Sequence, residues 1–222
     1  MKFYKPIRIL LAAGMLAVAT SAGAADTTTD SSTSLQAQSP WQIRLRALGV
    51  IPRDSGRVDG IDGSGLSFSN TVIPELDVSY FFNDNIAVEL ILGTTKSTVH
   101  GEGSISSLGN IGKTWMLPPT LTLQYHVTSL GAFRPYVGAG INYTMFYNQS
   151  GNSADSLDVK NTFGVAFQAG FDYMLDQHWG LNVDVKKLIL RPDFDATVGG
   201  SHVSGKANLD PLMIGTGISY RF

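Results

Sequence analysis

Apolar residues recur at every second position along most of this chain, and this alternation constrains the fold more than any other feature of the sequence. A period of two is typical of a β-strand with one apolar face, whereas an amphipathic helix repeats every 3.6 residues. Eight stretches alternate in this way: WQIRLRALGVI (41–51), TVIPELDVSYFF (71–82), IAVELILG (86–93), LPPTLTLQYHV (117–127), PYVGAGINYTMFY (135–147), TFGVAFQAGFDYM (162–174), WGLNVDVKKLIL (179–190) and LMIGTGISYRF (212–222). The chain is therefore predicted to be all-β.

The length and charge of these stretches distinguish two kinds of β-protein. Most are about 10 to 13 residues long, whereas strands of globular proteins are usually about 5 to 6 residues long. Charged residues also occur in mid-stretch on the face opposite the apolar one, as with Arg44, Glu75 and Asp184. A soluble sandwich would expose those charges to water, whereas a closed barrel in lipid would turn them into its lumen, where opposite signs pair.

The connections favour the barrel. Those at 83–85, 128–134 and 175–178 are short, and they alternate with long ones at 52–69, 97–115, 148–161 and 191–208. Short periplasmic turns and long outer loops are typical of bacterial outer-membrane barrels, and closure removes every unpaired sheet edge, as lipid requires. The sequence predicts an eight-stranded antiparallel transmembrane β-barrel over residues 41–222, in contact with outer-membrane lipid.

The N-terminus predicts export. Three basic residues, an apolar run and the small residues Ala22, Gly23 and Ala24 are typical of a cleaved signal peptide over residues 1–24. Residues 25–40 are rich in Ser and Thr and are predicted to form a flexible tail. Without the three basic residues of the leader, 13 of the 16 basic residues remain against 18 acidic ones, a net charge of −5. This charge argues against a nucleic-acid partner.

The lumen of the predicted barrel receives the polar face of each stretch. The charged or polar residues expected there are Arg44, Arg46, Glu75, Asp77, Glu89, Gln124, His126, Asn142, Gln168, Asp172, Asp184, Lys186 and Arg221. Proline removes a ladder donor and is disfavoured inside a sheet. Pro118, Pro119 and Pro74, near the predicted extracellular ends of their strands, either mark a bulge or strand start or form a weak lateral seam.

Aromatic residues collect near the predicted periplasmic rim, where rings favour the membrane interface. Trp41, Tyr136 and Phe222 are assigned to this girdle, and Trp115 and Phe146 to a sparser one at the other rim. Phe222 stands at the end of the closing strand. It is predicted to face outward and to act as an assembly signal for the barrel-assembly machinery.

No constellation of residues indicates catalysis. The four histidines have no metal-ligand spacing, and the one Ser–His pair considered, His126 with Ser129, has no GxSxG motif around it. Asp155 and Asp158 are too few carboxylates to predict a calcium site. The chain is predicted to be no enzyme and to hold no cofactor and no metal.

Four segments give the chain a specific resemblance. RPYVGAGINYTMFY from Arg134, LPPTLTLQYHV from Leu117, FGVAFQAGFDYMLDQHWGLNVDVK from Phe163 and LDPLMIGTGISYRF from Leu209 resemble the OmpW family of small outer-membrane proteins. The resemblance implies an eight-stranded barrel with a narrow apolar channel that admits small hydrophobic molecules.

Two functions compete at this point. One is a channel or carrier for small apolar or amphiphilic solutes, which the family resemblance favours. The other is a structural or receptor barrel whose lumen is plugged and whose extracellular loops do the work. Eight strands leave an interior barely wide enough for side chains, and this favours the plug.

Overall fold

The computed structural model describes residues 39–53 and 56–222. The predicted signal peptide and nearly all of the predicted tail therefore lie outside the described residues. In the part that is described, one short 3-10 helix, Ser106–Leu108, accompanies fifteen strands. The strands are β1 (Trp41–Ile51), β2 (Gly56–Val58), β3 (Ser64–Phe68), β4 (Thr71–Phe81), β5 (Ile86–Gly93), β6 (Thr95–Gly103), β7 (Asn110–Leu117), β8 (Thr120–His126), β9 (Phe133–Gly151), β10 (Ser156–Val159), β11 (Thr162–Met174), β12 (Trp179–Ile189), β13 (Asp193–Val198), β14 (Ser201–Ala207) and β15 (Leu212–Arg221).

Eight of these strands close into an antiparallel barrel, as the alternation predicts. Their order around the barrel is β1, β4, β5, β8, β9, β11, β12 and β15, and β15 pairs with β1 to complete the ring. The closing ladder runs from Gln42 opposite Arg221 to Ile51 opposite Leu212. Every barrel strand therefore has two paired neighbours, so the eight-stranded ring has no edge strand.

The two faces of each barrel strand differ in exposure as well as in chemistry. On β8, Leu121 and Leu123 are 47% and 59% exposed, whereas Thr122 between them is 0% exposed. Because successive side chains of a strand point to opposite faces, the apolar set lies outside and the polar set fills the lumen. This arrangement is the reverse of a soluble protein, whose apolar residues lie inside.

The four connections predicted as long loops are a correction, because they are largely built of strands. β6 and β7 form a hairpin that pairs with β3 and β9, and β10, β13, β14 and β2 form a separate four-stranded sheet. These strands carry short apolar alternations that are hard to recognise among the many Gly and Ser residues. The apolar pairs are buried: Leu66 with Phe68, Leu157 with Val159, and Phe194 with Ala196. We call this strand layer beyond the long-connection end of the barrel the extracellular extension.

Two short turns at the opposite end, 83–85 and 175–178, share one stabilising device. Asn83 Oδ1 accepts hydrogen bonds from the backbone N–H groups of Asn85 and Ile86, at 2.9 and 2.8 Å. Asp176 Oδ1 does the same for His178 and Trp179, at 2.7 Å each. The two backbone donors, Trp179 first, lower the pKa of the Asp176 carboxyl. Asn and Asp are typical of such turns because their side chains bond the backbone two residues on.

No helix among the described residues is long and apolar enough to cross a membrane.

Candidate functional site

The lower half of the lumen is filled by acidic and basic side chains that pair across the barrel. Arg44 of β1 donates two hydrogen bonds to Asp172 of β11, from Nε at 3.1 Å and from Nη2 at 2.7 Å. Its Nη1 atom lies 2.7 Å from Glu89 Oε1 of β5 and 2.9 Å from Ser79 Oγ. The planar guanidinium suits this geometry, since its fixed fork of donors engages a carboxylate through two bonds.

A second cluster surrounds Arg46 directly above the first. Arg46 Nε lies 3.0 Å from Glu75 Oε1, and Nη2 pairs with Asp77 on the same neighbouring strand. Lys186 Nζ of β12 reaches the same Glu75 oxygen at 2.8 Å, and Asp184 lies 3.6 Å from both Lys186 Nζ and Arg46 Nη1. Three basic and five acidic side chains therefore share one network, which we call the ionic plug. Its members are Arg44, Arg46, Lys186, Glu75, Asp77, Glu89, Asp172 and Asp184.

Neutral side chains donate hydrogen bonds to three of these carboxylates and so replace part of the water that burial removes. Gln168 Nε2 donates to Glu89 at 2.9 Å and to Asp184 at 2.8 Å, and Gln124 Nε2 donates to Glu89 at 2.6 Å. Tyr136 Oη donates to Asp184 at 2.9 Å, and Asn182 Nδ2 donates to Asp172 at 2.9 Å. Buried charges are tolerated when pairing and hydrogen bonds replace water, and here the amides and the phenol supply donors in addition to those of the three basic side chains.

The plug seals this half of the barrel. Its eight ionisable side chains are at most 3% exposed. The structure buries each residue expected in the lumen: Arg44, Arg46, Glu75, Asp77, Glu89, Gln124, His126, Asn142, Gln168, Asp172, Asp184, Lys186 and Arg221. Two of them lie apart from the plug. Asn142 donates to the carbonyls of Pro118 and Pro119 at 3.1 and 3.2 Å, and Arg221 stacks over the Phe81 ring at the short-turn rim.

One aromatic assignment is wrong, and it concerns a residue of the network. Tyr136, predicted in the periplasmic girdle, is 2% exposed and lies in the lumen. Tyr136 is separated from Gly138 and Gly140 by two and four positions on β9, so it lies on their face of the strand, and this was the signal that the sequence offered. Gly170 makes room for the ring, because a Cβ there would lie 2.7 Å from Tyr136 Oη and 2.5 Å from the Val183 carbonyl oxygen. Four further polar residues join the hydrogen-bond network of the lumen but were not among the predicted lumen residues. They are Gln42, Ser79, Thr122 and Asn182.

Above the plug the lumen becomes apolar. A cavity of about 50 Å³, the lower cavity, lies over Glu75 and Lys186 and is otherwise bounded mainly by aliphatic side chains, prolines and hydroxyl residues. Its apolar lining includes Leu48, Val50, Ile73, Ile91, Leu188 and Met213. The plug is therefore the floor of an apolar compartment.

A second cavity, the upper cavity, occupies the extracellular extension. Its volume is about 100 Å³, and Met116 and Leu209 line both cavities, so the two adjoin. Its wall is apolar apart from Thr114 and includes Leu66, Phe68, Val99, Ile111, Leu157, Phe194 and Ala207. Phe146, predicted in the outer aromatic girdle, is 8% exposed and lines this cavity instead, which is a second correction.

The barrel wall beside the lower cavity is loosely paired where β5 gives way to β6. The β5–β8 ladder ends at Ile91 opposite Thr120, and pairing resumes only between Thr95 and Met116. Pro118 and Pro119 lie in this interruption. On the other side, the β4–β5 ladder ends at Glu75 opposite Gly93.

Above that pair, the structure has no backbone hydrogen bond between 70–74 and 94–97 in this fully described part of the wall. Pro74 lies on the β4 side of this gap. The segment 92–97 therefore lacks ladder bonds on parts of both edges, next to all three seam prolines. Whether the seam opens stays a prediction.

Aromatic rings pack against one another in outer groups at the short-turn rim. Trp41 packs on Tyr80, Tyr80 on Phe82, and Trp179 on Tyr220, with centroids 4.8 to 5.5 Å apart. Phe222 is 48% exposed, faces outward and meets the Tyr220 ring edge-on at 5.0 Å. Its role as an assembly signal stays a prediction.

The residues weighed for catalysis and metal binding are not assembled into sites. His126 is buried between the rings of Phe81 and Tyr136, and its Nε2 lies 2.9 Å from Gln124 Oε1, whereas Ser129 is exposed in the following turn. Asp158 pairs with Lys160, and Asp155 accepts a hydrogen bond from the Gly200 N–H at 3.2 Å. Within residues 39–53 and 56–222, no group of three His, Cys, Asp or Glu side chains is arranged to hold a metal ion.

Comparisons with known proteins agree on one family. The model of the OmpW family matches residues 38–222. The uncharacterised outer-membrane protein y4mB of Sinorhizobium fredii is 57% identical over 187 residues, which are 83% of this chain and 80% of that protein. The dibenzothiophene metabolism operon protein PahQ of Pseudomonas aeruginosa is 29% identical over 190 residues, covering 83% of this chain and 90% of that protein. The crystal structure of the outer membrane protein OprG from Pseudomonas aeruginosa is similar, with a TM-score of 0.75 and 26% identity over 83% of this chain and 97% of that one.

Proposed function

The chain belongs to the OmpW family of outer-membrane β-barrels, and on that premise we propose that it is a narrow channel or carrier for small hydrophobic or amphiphilic molecules. The observation that carries this proposal is the pair of adjoining apolar cavities above a sealed ionic plug. A barrel made only to be a rigid anchor needs no such compartment.

The plug argues against passage of water-soluble solutes through the barrel axis. A hydrophilic solute or ion would have to break buried pairs such as Arg44 with Asp172, and each separated charge would lose its partner in a water-poor interior. Bulky hydrophiles such as sugars are therefore not the proposed cargo.

The cavities suit an apolar solute for the converse reason. Such a solute leaves water for an apolar lining, and this transfer is favourable in proportion to the apolar area removed from water. The name of one relative, PahQ, refers to dibenzothiophene metabolism, and dibenzothiophene is an apolar fused-ring molecule. This name supports the same class of cargo.

The proposed exit is lateral, because the plug closes the axial route. A solute in the lower cavity adjoins the junction of β5 and β6, where Gly93, Thr95 and Pro118 line the cavity. The wall lacks ladder bonds there, so separating it costs fewer hydrogen bonds than elsewhere. In this proposal the solute passes from the junction into the surrounding membrane.

A second candidate function is a structural or receptor barrel that acts through its extracellular side. The ionic plug favours it, since an immobile filling would also give a rigid scaffold for the extracellular extension. In this case the apolar cavities would be only the core that holds the extension together.

Uptake by cells tests the two functions against each other. The initial rate of radiolabelled n-octane uptake is measured in cells with and without the protein, together with that of glucose. The channel function predicts faster octane uptake with the protein and unchanged glucose uptake. Equal octane uptake in both strains would reject the channel and leave the receptor barrel.

A further inference from the structure

One wall of the lower cavity differs from the rest in carrying hydroxyl groups. Ser69, Thr71, Thr95 and Ser97 line the cavity where β6 passes the upper end of β4. No backbone hydrogen bond joins 70–74 to 94–97 along this wall, and pairing across it is seen again only where Ser69 N donates to the Thr98 carbonyl at 3.2 Å. The remaining lining above the plug is mainly aliphatic, so polar chemistry is concentrated on one side.

Two of these hydroxyls have no use within the described protein. Thr95 and Ser97 are 6% and 4% exposed, and neither Thr95 Oγ1 nor Ser97 Oγ has a hydrogen-bond partner among the described residues. They are two residues apart on one strand, so both point to the same side, into the cavity. Buried hydroxyls are normally bonded, and leaving one without a partner is unfavourable. A ligand atom that accepts or donates a hydrogen bond here would relieve that cost.

The charges near this wall define which polar group fits. Glu75 and Lys186 bound the cavity from below, and both are already engaged with each other and with Arg46 or Asp184. A carboxylate head group would meet the Glu75 carboxylate, and Lys186, the one cation among the described lining residues, is already paired. A neutral hydroxyl, aldehyde or ester carries no such penalty.

We propose that the lower cavity selects neutral amphiphiles with a single polar head, such as straight-chain alcohols, over hydrocarbons and over carboxylates of the same chain length. The head group bonds to Thr95 Oγ1 and Ser97 Oγ, and the chain lies along the aliphatic lining towards Met116 and Leu209. This selection deepens the proposed transport function and rests on it.

The test compares three solutes of equal chain length in cells that carry each variant at equal protein level. Initial uptake rates of radiolabelled 1-octanol, n-octane and octanoate are measured, and the rates of cells without the protein are subtracted. The variant Thr95→Val/Ser97→Ala removes both hydroxyls with little change in volume. Ser219→Ala is the matched control, because Ser219 Oγ is also buried and without a partner but lies at the short-turn end, away from both cavities. Heat-modifiability on gels checks that each barrel is folded.

The parent is expected to take up octanol faster than octane and octanoate, and the double variant to lose roughly three- to tenfold of the octanol-over-octane preference, the size of one or two neutral hydrogen bonds. Ser219→Ala should keep the parental preference. An unchanged preference in the folded double variant would mean that the hydroxyls do not recognise the head group, and would overturn this inference while leaving transport intact. If the parent takes up neither octanol nor octane, the proposed transport function itself fails.

Discussion

At the scale of single residues, Arg44 shows how much of this barrel depends on long-range pairing. Its carboxylate partners Asp172 and Glu89 are 128 and 45 positions away in the chain, and all three are buried. Alternation along β1 predicted that Arg44 faces the lumen. It could not predict the partner, because that depends on how closure brings distant strands together.

Arg44→Ala is expected to destabilise the barrel by about 3 to 5 kcal/mol, since it leaves the buried Asp172 and Glu89 carboxylates without a cation. Arg57→Ala is the matched control, because Arg57 and Asp59 lie 3.9 Å apart and are 73% and 59% exposed. The control should change stability by no more than about 1 kcal/mol. Urea unfolding in lipid vesicles measures both, and equal losses would contradict the account of the plug.

At the scale of elements, the short turns and the β5–β6 junction behave differently from the regular strands. The turns are fixed by side-chain acceptors, which Asn83 and Asp176 provide from the same position of two different hairpins. The junction is instead a place where regular pairing stops. The sequence predicted that both turns are short, but not the side-chain acceptors that hold them. It placed Pro118, Pro119 and Pro74 either at a bulge or strand start or at a weak seam, because proline removes a ladder donor.

The turn device gives a pH-dependent prediction. The folded-state pKa of Asp176 is lowered, so its stabilising effect is fully present above its unfolded pKa of about 3.9 and is lost as the pH falls through the lower folded-state value. The parent should therefore be more stable than Asp176→Asn at neutral pH, and this difference should shrink as the solution is acidified below about pH 4. Urea midpoints of the two proteins across pH measure it.

The reciprocal change Asn83→Asp serves as the control for the turn prediction. It should add stability that disappears over the same acidic range, because Asn83 Oδ1 accepts the equivalent pair of backbone N–H groups. A difference between parent and Asp176→Asn that is constant with pH would show that the carboxylate charge does not stabilise the turn.

The junction gives a prediction about rate. Replacing Pro118 and Pro119 together with Thr and Val restores two backbone donors next to the interruption between Ile91 and Thr95. If solute leaves there, octane uptake should slow with little loss of stability. Pro135→Thr, at the opposite end of β9 from the cavities, should leave uptake unchanged. Unaltered uptake in the folded double variant would exclude this exit.

At the scale of the whole molecule, the barrel was predictable and the extracellular extension was not. The eight barrel strands alternate over many residues. The alternation is strict because one face of each strand meets lipid and the other meets a polar lumen. In the extension the apolar residues come in short pairs such as Phe194 with Ala196, separated by Gly, Ser and Asp. Their burial depends on strands from four connections meeting over one core, which no single segment shows.

The same reasoning explains what could be predicted of the site. Charged residues on inward positions predicted ion pairs inside the lumen, and the structure has such pairs in its lower half. The two cavities arise from packing between the barrel and the extension, so no local pattern predicted them. Tyr136 and Phe146 were assigned to the outer girdles because they lie near strand ends. Their positions in the alternation of β9 place both side chains on the inner face instead.

The measurement that tests the central claim most directly is octane uptake through a barrel whose upper cavity has been filled. Ala207 is 5% exposed and lines that cavity, so Ala207→Phe places a ring inside it. Ala47→Phe makes the same change on the exposed outer face of β1 and serves as the matched control. At equal levels of folded protein, the account predicts that Ala207→Phe lowers octane uptake at least severalfold towards the rate of cells without the protein, while Ala47→Phe keeps the parental rate. Parental uptake by folded Ala207→Phe would contradict the claim that solute passes through the apolar cavities above the ionic plug.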